Sequence, residues 1–350
     1  LENKHLAVIA ASSCISYIET NSFGKTNHIN SITKIDSKEF MHLDSFTLKN
    51  LEIFESLNNN KNATLINVVD KTLTASGSRL LKLNLLKPLR NIKKINYRLD
   101  CVSEFISHNF ELDSIRSLLK NVSDIQRIVV KISNDKANPQ DIFHLSDSLS
   151  IINKIKNILI PAMGKNIKKI NETNNLSKII KIVSQTIKEN PAVNLLKGGY
   201  IKDGINKELD ELRNIASKAN DWLVKYQQNE RIRNKIPSLK INYNKVFGYF
   251  IDVTKTHIDK VPDNYIRKQT LVNNERYFTN ELKEYEEKIL SAKDKIIDIE
   301  RSIFNVLLKD ISIESKRIQK NAKILAEIDV TCSNAFIAIE NNYIKPSISN

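Results

Sequence analysis

Residues 282–306 read LKEYEEKILSAKDKIIDIERSIFNV, and their apolar positions Leu282, Tyr285, Ile289, Ala292, Ile296, Ile299, Ile303 and Val306 fall at alternating steps of three and four. That spacing keeps one stripe of a helix facing a partner. The same rhythm runs earlier through Ile205, Leu209, Leu212, Ala216, Ala219, Leu223 and Tyr226. The simplest burial for two such stripes is against each other, as an outgoing and a returning helix. At ~1.5 Å per residue over ~30 residues this pair makes an arm about 45–50 Å long, and residues 237–278 sit at its tip.

The tip changes period. Leu239, Ile241 and Tyr243 alternate with Lys240, Asn242 and Asn244, and residues 246–253 are β-branched and aromatic around Gly248, the pattern of strands. Two antiparallel strands joined near Asn244-Lys245 are expected. A second pair is expected over 268–272 and 276–278, joined through Asn273-Asn274, which tolerate positive φ. Thr279 caps the returning helix, and Glu281 suits its positive end.

The 350 residues include only seven Gly and seven Pro, and neither occurs between 263 and 345, so a mostly helical protein is expected. No apolar run is long enough to span a bilayer, which excludes a membrane-spanning helical class. Cys14, Cys101 and Cys332 are odd in number and far apart, which gives neither a disulfide framework nor a zinc pattern; reduced thiols in a cytoplasmic protein are expected. The net charge of +14 makes nucleic acid the first partner to consider. Part of that excess is solvated surface: residues 151–200 carry nine Lys against two Glu but few aromatics and no Arg.

Upstream, residues 1–20 carry an apolar helical pattern at Leu6, Ile9, Ala10, Ser13 and Tyr17, followed by a polar linker. Asp44 reads as the N-cap of a helix whose apolar face is Phe46, Leu48, Leu51, Ile53, Phe54 and Leu57. A further helix follows Thr74 and stops at Pro88, with others over 91–108, 110–120, 139–160 and 174–188.

At the tip, Leu239 to Val253, then Tyr265-Ile266-Arg267-Lys268-Gln269-Thr270-Leu271 and Asn274-Glu275-Arg276-Tyr277, closely resemble the clamp domain of bacterial MutS mismatch-repair proteins. Glu281-Leu282-Lys283-Glu284-Tyr285-Glu286 resembles the start of that family's returning lever helix. Asp44, Thr47, Asn50 to Ile53, then Thr74, Gly77, Ser78, Arg79, Leu81, Lys82, Pro88-Leu89, and Ile95, Arg98, Leu99 and Val102 match its core domain. The resemblance covers nearly the whole chain, although 110–200 match only in helical character.

The resemblance implies a mainly α fold: a helical core with two long antiparallel, coiled-coil-like lever helices carrying a small four-stranded antiparallel β clamp. The expected divisions are 1–21 end of connector, 22–43 linker, 44–203 helical core, 204–236 outgoing lever, 237–278 clamp, 279–330 returning lever and core, and 331–350 start of the ATPase domain. The chain accordingly reads as a piece of a longer one. Neither the family's Phe-x-Glu mismatch reader nor its ATPase domain is read in it. No catalytic residue, cofactor or metal is assigned here. For the full-length protein, ATP and Mg, ATPase activity, a homodimer and a downstream mismatch-repair partner protein are expected.

By resemblance, double-stranded DNA is held through its backbone by Asn244, Lys245, Arg267, Lys268, Gln269, Asn273 and Arg276. Seven Lys/Arg against four Asp/Glu over 237–278 give only +3, so placement of long donors beside turns carries this reading rather than charge. Gly248 is expected to serve strand packing, and Gly77 close helix packing rather than anion binding. Gly24-Lys25-Thr26 fails the phosphate-loop template, because Glu19 stands where its first glycine belongs. The six His are isolated, so no metal site is expected. Hinges are expected near Gly198-Gly199 and Gly204. The competing readings are an RNA-binding helical arm of the tRNA-synthetase type, which would not usually carry a β tip, a non-catalytic coiled-coil scaffold, which leaves the basic tip unexplained, and the MutS-like recombination group, which lacks the clamp.

Overall fold

The computed structural model describes residues 5–21, 29, 39–58, 60–162, 164, 170–244, 246 and 248–349. In chain order the elements are α1 (His5–Asn21), α2 (Ser45–Asn50), α3 (Leu65–Val69), α4 (Ala75–Leu86), α5 (Ile92–Ser107), α6 (Asn109–Leu119), α7 (Ile125–Ser133), α8 (Pro139–Ala162) and α9 (Ser177–Thr186). Then come α10 (Lys207–Asn234), β1 (Lys240–Asn244), β2 (Gly248–Thr254), β3 (Ile266–Thr270), β4 (Asn274–Phe278), α11 (Asn280–Ile313) and α12 (Ser315–Glu340). They form two compact units, Leu1–Pro191 with Val306–Asn350, and Ala192–Asn305.

The first unit is organised by α12, which lies against α4, α5, α6 and α7. Its buried residues, among them Ile318, Ala322, Leu325, Cys332, Ala335 and Ile337, point to more than one side, as expected of a helix covered by several neighbours. One polar residue organises the contact with α4. Asp329, fully buried, accepts hydrogen bonds from the amides of Leu73 (3.0 Å) and Thr74 (2.8 Å) and from Thr74 Oγ1 (2.7 Å). Thr74 Oγ1 accepts in turn from the amide of Gly77 at 2.9 Å, capping α4. A Cβ on Gly77 would stand 2.1 Å from Asp329 Oδ2, so only glycine lets the two helices approach, and its amide is already occupied. Burial pushes the Asp329 carboxyl up, against the pull of these hydrogen bonds.

The N-cap at Asp44 is present, its carboxylate accepting from the Thr47 amide at 2.7 Å, but the helix after it is short. It ends at Asn50, and Glu52 turns into positive φ (47°). The backbone then folds back, the amides of Leu65 and Ile66 donating to the carbonyls of Glu52 and Ile53 at 3.0 Å. Of the expected apolar face only Ile53 is buried, while Phe46, Leu51 and Leu57 are exposed. Tertiary pairing thus overrides a helical period. The reverse happens at α7, where Ile128-Val129-Val130 form a helix despite a β-branched composition. Asp124 caps it, and its Ile125, Ile128, Val129 and Ile132 are buried. The boundary expected at residue 331 falls inside α12. Cys101 and Cys332 are buried and Cys14 is exposed, none of them in a disulfide.

In the second unit three contacts fix α10 and α11 as antiparallel. Arg213 Nη2 donates to Glu300 Oε1 at 2.6 Å, Trp222 stacks on Tyr285 at 3.6 Å between centroids, and Tyr226 Oη meets Thr279 Oγ1 at 2.8 Å. Along the anticipated stripes Leu209, Tyr226, Leu282, Ile289 and Ala292 are buried, with Leu212, Ala216, Leu223, Tyr285, Ile296, Ile299 and Ile303 half-buried. Two positions fail. Ile205 precedes α10 and is 41% exposed, and Val306 is 57% exposed. Further along α11 the buried positions are Phe304, Leu307 and Ile311. A 3.5-residue stripe drifts by ~20° per heptad on a 3.6-residue helix, and three heptads suffice to turn Val306 out. The side chain of Ala219 lies outside the described residues.

Gly198 and Gly199 have positive φ (62° and 81°), but the Gly199 amide donates to Glu300 Oε2 at 2.8 Å. Gly204 (φ 82°) is likewise tied, its amide donating to Asp210 Oδ2 at 2.9 Å. Both expected hinge positions are thus hydrogen-bonded turns of positive φ.

Candidate nucleic-acid interface

The tip is a four-stranded antiparallel sheet in the order β1-β2-β4-β3. Its first hairpin closes at Asn244↔Gly248, where Gly248 has φ 73° and its missing side chain leaves room for Glu286 of α11. The second strand pair starts earlier than the sequence reading placed it. β3 begins at Ile266, Asn274 already belongs to β4, and the turn is 271–273, closed by the Leu271 amide donating to Asn274 O at 2.8 Å. Between Arg267 and Gln269 the register shifts, Arg267 opposing Tyr277 and Gln269 opposing Arg276, so Lys268 is the extra residue of a bulge.

One face of the sheet is the core. Ile251, Val253 and Tyr277 pack with Tyr226, Ile236, Leu239, Tyr265 and Leu282, joined by half-buried Ile241, Tyr249 and Trp222. The polar groups on this face are engaged. Glu275, buried, accepts from Tyr277 Oη and lies 3.7 Å from Arg267 Nη1; burial and that carboxylate push the Tyr277 hydroxyl up to about 12. Glu230 of α10 accepts from Tyr265 Oη at 2.6 Å and from Asn234 Nδ2 at 3.0 Å. The tyrosines Tyr265 and Tyr277 are therefore structural, and of the tip tyrosines Tyr243 is half-exposed.

The opposite face carries one cross-strand row through all four strands, Lys240↔Asp252↔Arg276↔Gln269. Phe250 and Phe278 lie on this face too, by alternation with Ile251 and Tyr277. The Arg276 guanidinium stacks over the Phe250 ring at 4.4 Å and donates from Nη1 to Gln269 Oε1 at 2.9 Å. Lys268 Nζ stands 5.1 Å from the centre of the Phe278 ring. Asp252 Oδ2 accepts from Asn274 Nδ2 at 3.2 Å, while Asp252 Oδ1 and Arg276 Nε are buried without a hydrogen-bond partner.

The seven anticipated contact residues therefore divide. Gln269 and Arg276 share the outer face, with Lys268 beside them over Phe278. Arg267 points to the core side with Glu275. Asn244 closes the first hairpin, its Oδ1 accepting from the Val246 amide at 2.8 Å, and Asn273 sits exposed in the second turn, its carbonyl accepting from the Lys255 amide at 3.0 Å. Lys245 lies outside the described residues. The sequence reading missed Phe250, Phe278 and Asp252, which alternate with Ile251, Val253 and Tyr277 along their strands; Phe250 is itself buried beneath Arg276.

Among the described residues no group of three or more His, Cys, Asp or Glu could hold a metal ion, and no helix is long and apolar enough to cross a membrane. Gly24-Lys25-Thr26 lies outside the described residues.

A family model described as MutS domain III matches residues 46–335. The chain is 40% identical over 349 residues to the DNA mismatch repair protein MutS of Phocaeicola vulgatus, covering 99% of this chain and 40% of that protein. It is 41% identical over 352 residues to the MutS of Halothermothrix orenii, covering 100% and 39%, and 38% identical over 357 residues to that of Methanosarcina barkeri, covering 99% and 39%. It thus spans about 40% of the length of the curated relatives it matches. With a helical body built on α12 and a helix pair ending in a small antiparallel sheet, the chain belongs to the MutS domain III family.

Proposed function

We propose that this chain works in DNA mismatch repair, as the part of a MutS protein that grips duplex DNA through its phosphate backbone. The observation that carries the reading is the outer face of the tip sheet, where Arg276 has no ion-pair partner among the described residues and stands over the Phe250 ring, with Lys268 beside Phe278. An arginine so placed keeps its attraction for phosphate, and the surrounding Asn and Gln side chains suit contacts that hold register without reading bases. Asn244, Lys245, Arg267, Lys268, Gln269, Asn273 and Arg276 remain the candidate set, in a tip spanning 237–278.

In the full-length protein the grip is coupled to an ATP- and Mg-dependent ATPase, acting in a cytoplasmic homodimer with a downstream repair partner. The share of that coupling assigned to this chain is mechanical. The Trp222 stack, the Arg213–Glu300 pair and the Tyr226–Thr279 bond stiffen the helix pair, which favours transmission of a displacement over its absorption. The division into connector end (1–21), linker (22–43), core (44–203), levers (204–236 and 279–330), clamp and ATPase entry (331–350) belongs to the same proposal.

The test is equilibrium binding of the chain to matched and mismatched duplexes over a salt series. Equal, weak and salt-sensitive affinities are expected. A clear mismatch preference overturns the backbone grip, and tighter binding to double-stranded RNA than to DNA of the same length supports the synthetase-like arm instead.

A further inference from the structure

We propose that Arg276 is the anchoring phosphate contact of the tip and that Phe250 and Gln269 are its positioning residues, whereas Arg267 serves the fold. The inference rests on the DNA-grip reading above and deepens it.

Four observations point the same way. Arg276 faces Asp252 directly across the strand pair, the arrangement that ordinarily neutralises both. Here the guanidinium instead stands over the Phe250 ring, 4.4 Å from its centre, and spends one Nη1 donor on the neutral amide oxygen of Gln269. Its Nε is buried without an acceptor, and Asp252 turns one oxygen to Asn274 and leaves the other unpaired. The planar group is thus fixed by neutral partners, which hold its orientation without discharging it, and a fork of fixed orientation suits a phosphate oxygen pair.

Arg267 is the opposite case. The bulge at Lys268 turns it to the core side, 3.7 Å from the buried carboxylate of Glu275, which also takes the Tyr277 hydroxyl. Its charge is opposed by that buried carboxylate at a separation longer than a hydrogen bond, while its side chain stays 64% exposed, so it is the lesser contact rather than an oriented one.

The experiment measures binding of the 350-residue chain to a matched duplex by fluorescence anisotropy at several salt concentrations. Arg276→Ala is expected to weaken binding about tenfold and to reduce the salt slope by about one. Arg276→Lys recovers less than half of that loss, because the ammonium lacks the plane that stacks and forks. Phe250→Leu costs roughly threefold, in the range of a cation–π contact, and Phe250→Tyr, which keeps the ring, restores the affinity. Gln269→Ala acts in the same direction as Phe250→Leu. Arg267→Ala costs no more than about twofold, through its residual long-range field.

A second readout reports positioning without DNA. The side-chain NMR signals of Arg276, shifted by the Phe250 ring current, move to unstacked values in Phe250→Leu and stay shifted in Phe250→Tyr. Wild-type affinity in Phe250→Leu and Gln269→Ala, with Arg276→Ala impaired, overturns the positioning role while the DNA grip stands. Equal losses in Arg267→Ala and Arg276→Ala overturn the division between faces. Unchanged binding in Arg276→Ala, Lys268→Ala and Arg267→Ala together overturns the grip itself.

Discussion

The helical body and the tip sheet treat charged groups in opposite ways. In the body Asp329 is fully buried, yet the Leu73 and Thr74 amides and the Thr74 hydroxyl all donate to it, and the hydroxyl passes the chain on to Gly77. Nothing is left over. On the tip's outer face Arg276 is oriented by Phe250 and Gln269 while a carboxylate directly across the strand gives it no hydrogen bond. A saturated network specifies packing; an oriented, uncompensated cation is what a site for an anion requires. In the helix pair Glu300 follows the same rule, accepting from both Arg213 and the Gly199 amide.

If the body and the helix pair are governed by saturation, removing one partner there should cost stability steeply. Glu300→Ala takes from Arg213, whose side chain is only 19% exposed, its buried carboxylate partner, leaving it the exposed Asp203 and the Ile201 carbonyl, and frees the Gly199 amide. The loss expected is about 3–4 kcal/mol, measured by urea unfolding monitored at the single tryptophan, Trp222, which reports this helix pair directly. A loss below ~1 kcal/mol would mean that the pair is not set by this network. Gly77→Ala comes next, at about 2–3 kcal/mol, because its Cβ must displace the Asp329 carboxylate. The tip reverses the pattern: Arg276→Ala should change the unfolding free energy by less than ~1 kcal/mol while weakening DNA binding.

How far these distinctions could be read in the chain follows from where they originate. The helix pair is legible in the step of three and four, and the sheet in its period of two, because both are repeated signals over many residues. The Thr74 and Thr279 caps are equally local. What was not legible depends on contacts distant in sequence. Nothing near residues 51–57 tells that Leu65 and Ile66 will pair with Glu52 and Ile53 and break the helix. Nor does anything at Gly77 name Asp329. At the site itself one residue made the difference. Simple alternation puts Arg267 and Gln269 on the same face, and the bulge at Lys268 separates them, so the candidate set is legible as a region but not as an outer face and a core face.

The smallest expected effect tests the comparison at the body's surface. Arg79 forks onto Asp124 at 2.8 and 2.7 Å and reaches Gln126 Oε1 at 2.8 Å, while Asp124 also caps α7 through the Arg127 amide at 3.2 Å. The Arg79 hydrogen bonds hold the Asp124 carboxyl below its ordinary value against the opposing effect of burial. A carboxylate depressed in the folded state contributes stability that is present above its unfolded value of ~4 and is lost as pH falls through the folded one. Because the Arg79 side chain is 47% exposed, the pair is worth no more than about 1 kcal/mol. Arg79→Ala should therefore lower stability by that amount at pH 7, and the gap from wild type should close on acidification below pH ~4. It should leave DNA affinity within about twofold, since this guanidinium, unlike that of Arg276, is already discharged by a carboxylate. A pH-independent gap would assign the loss to packing of the Arg79 stem, and a tenfold loss of DNA binding would show that paired cations of the body contact the backbone as well, erasing the contrast between saturated and uncompensated charge.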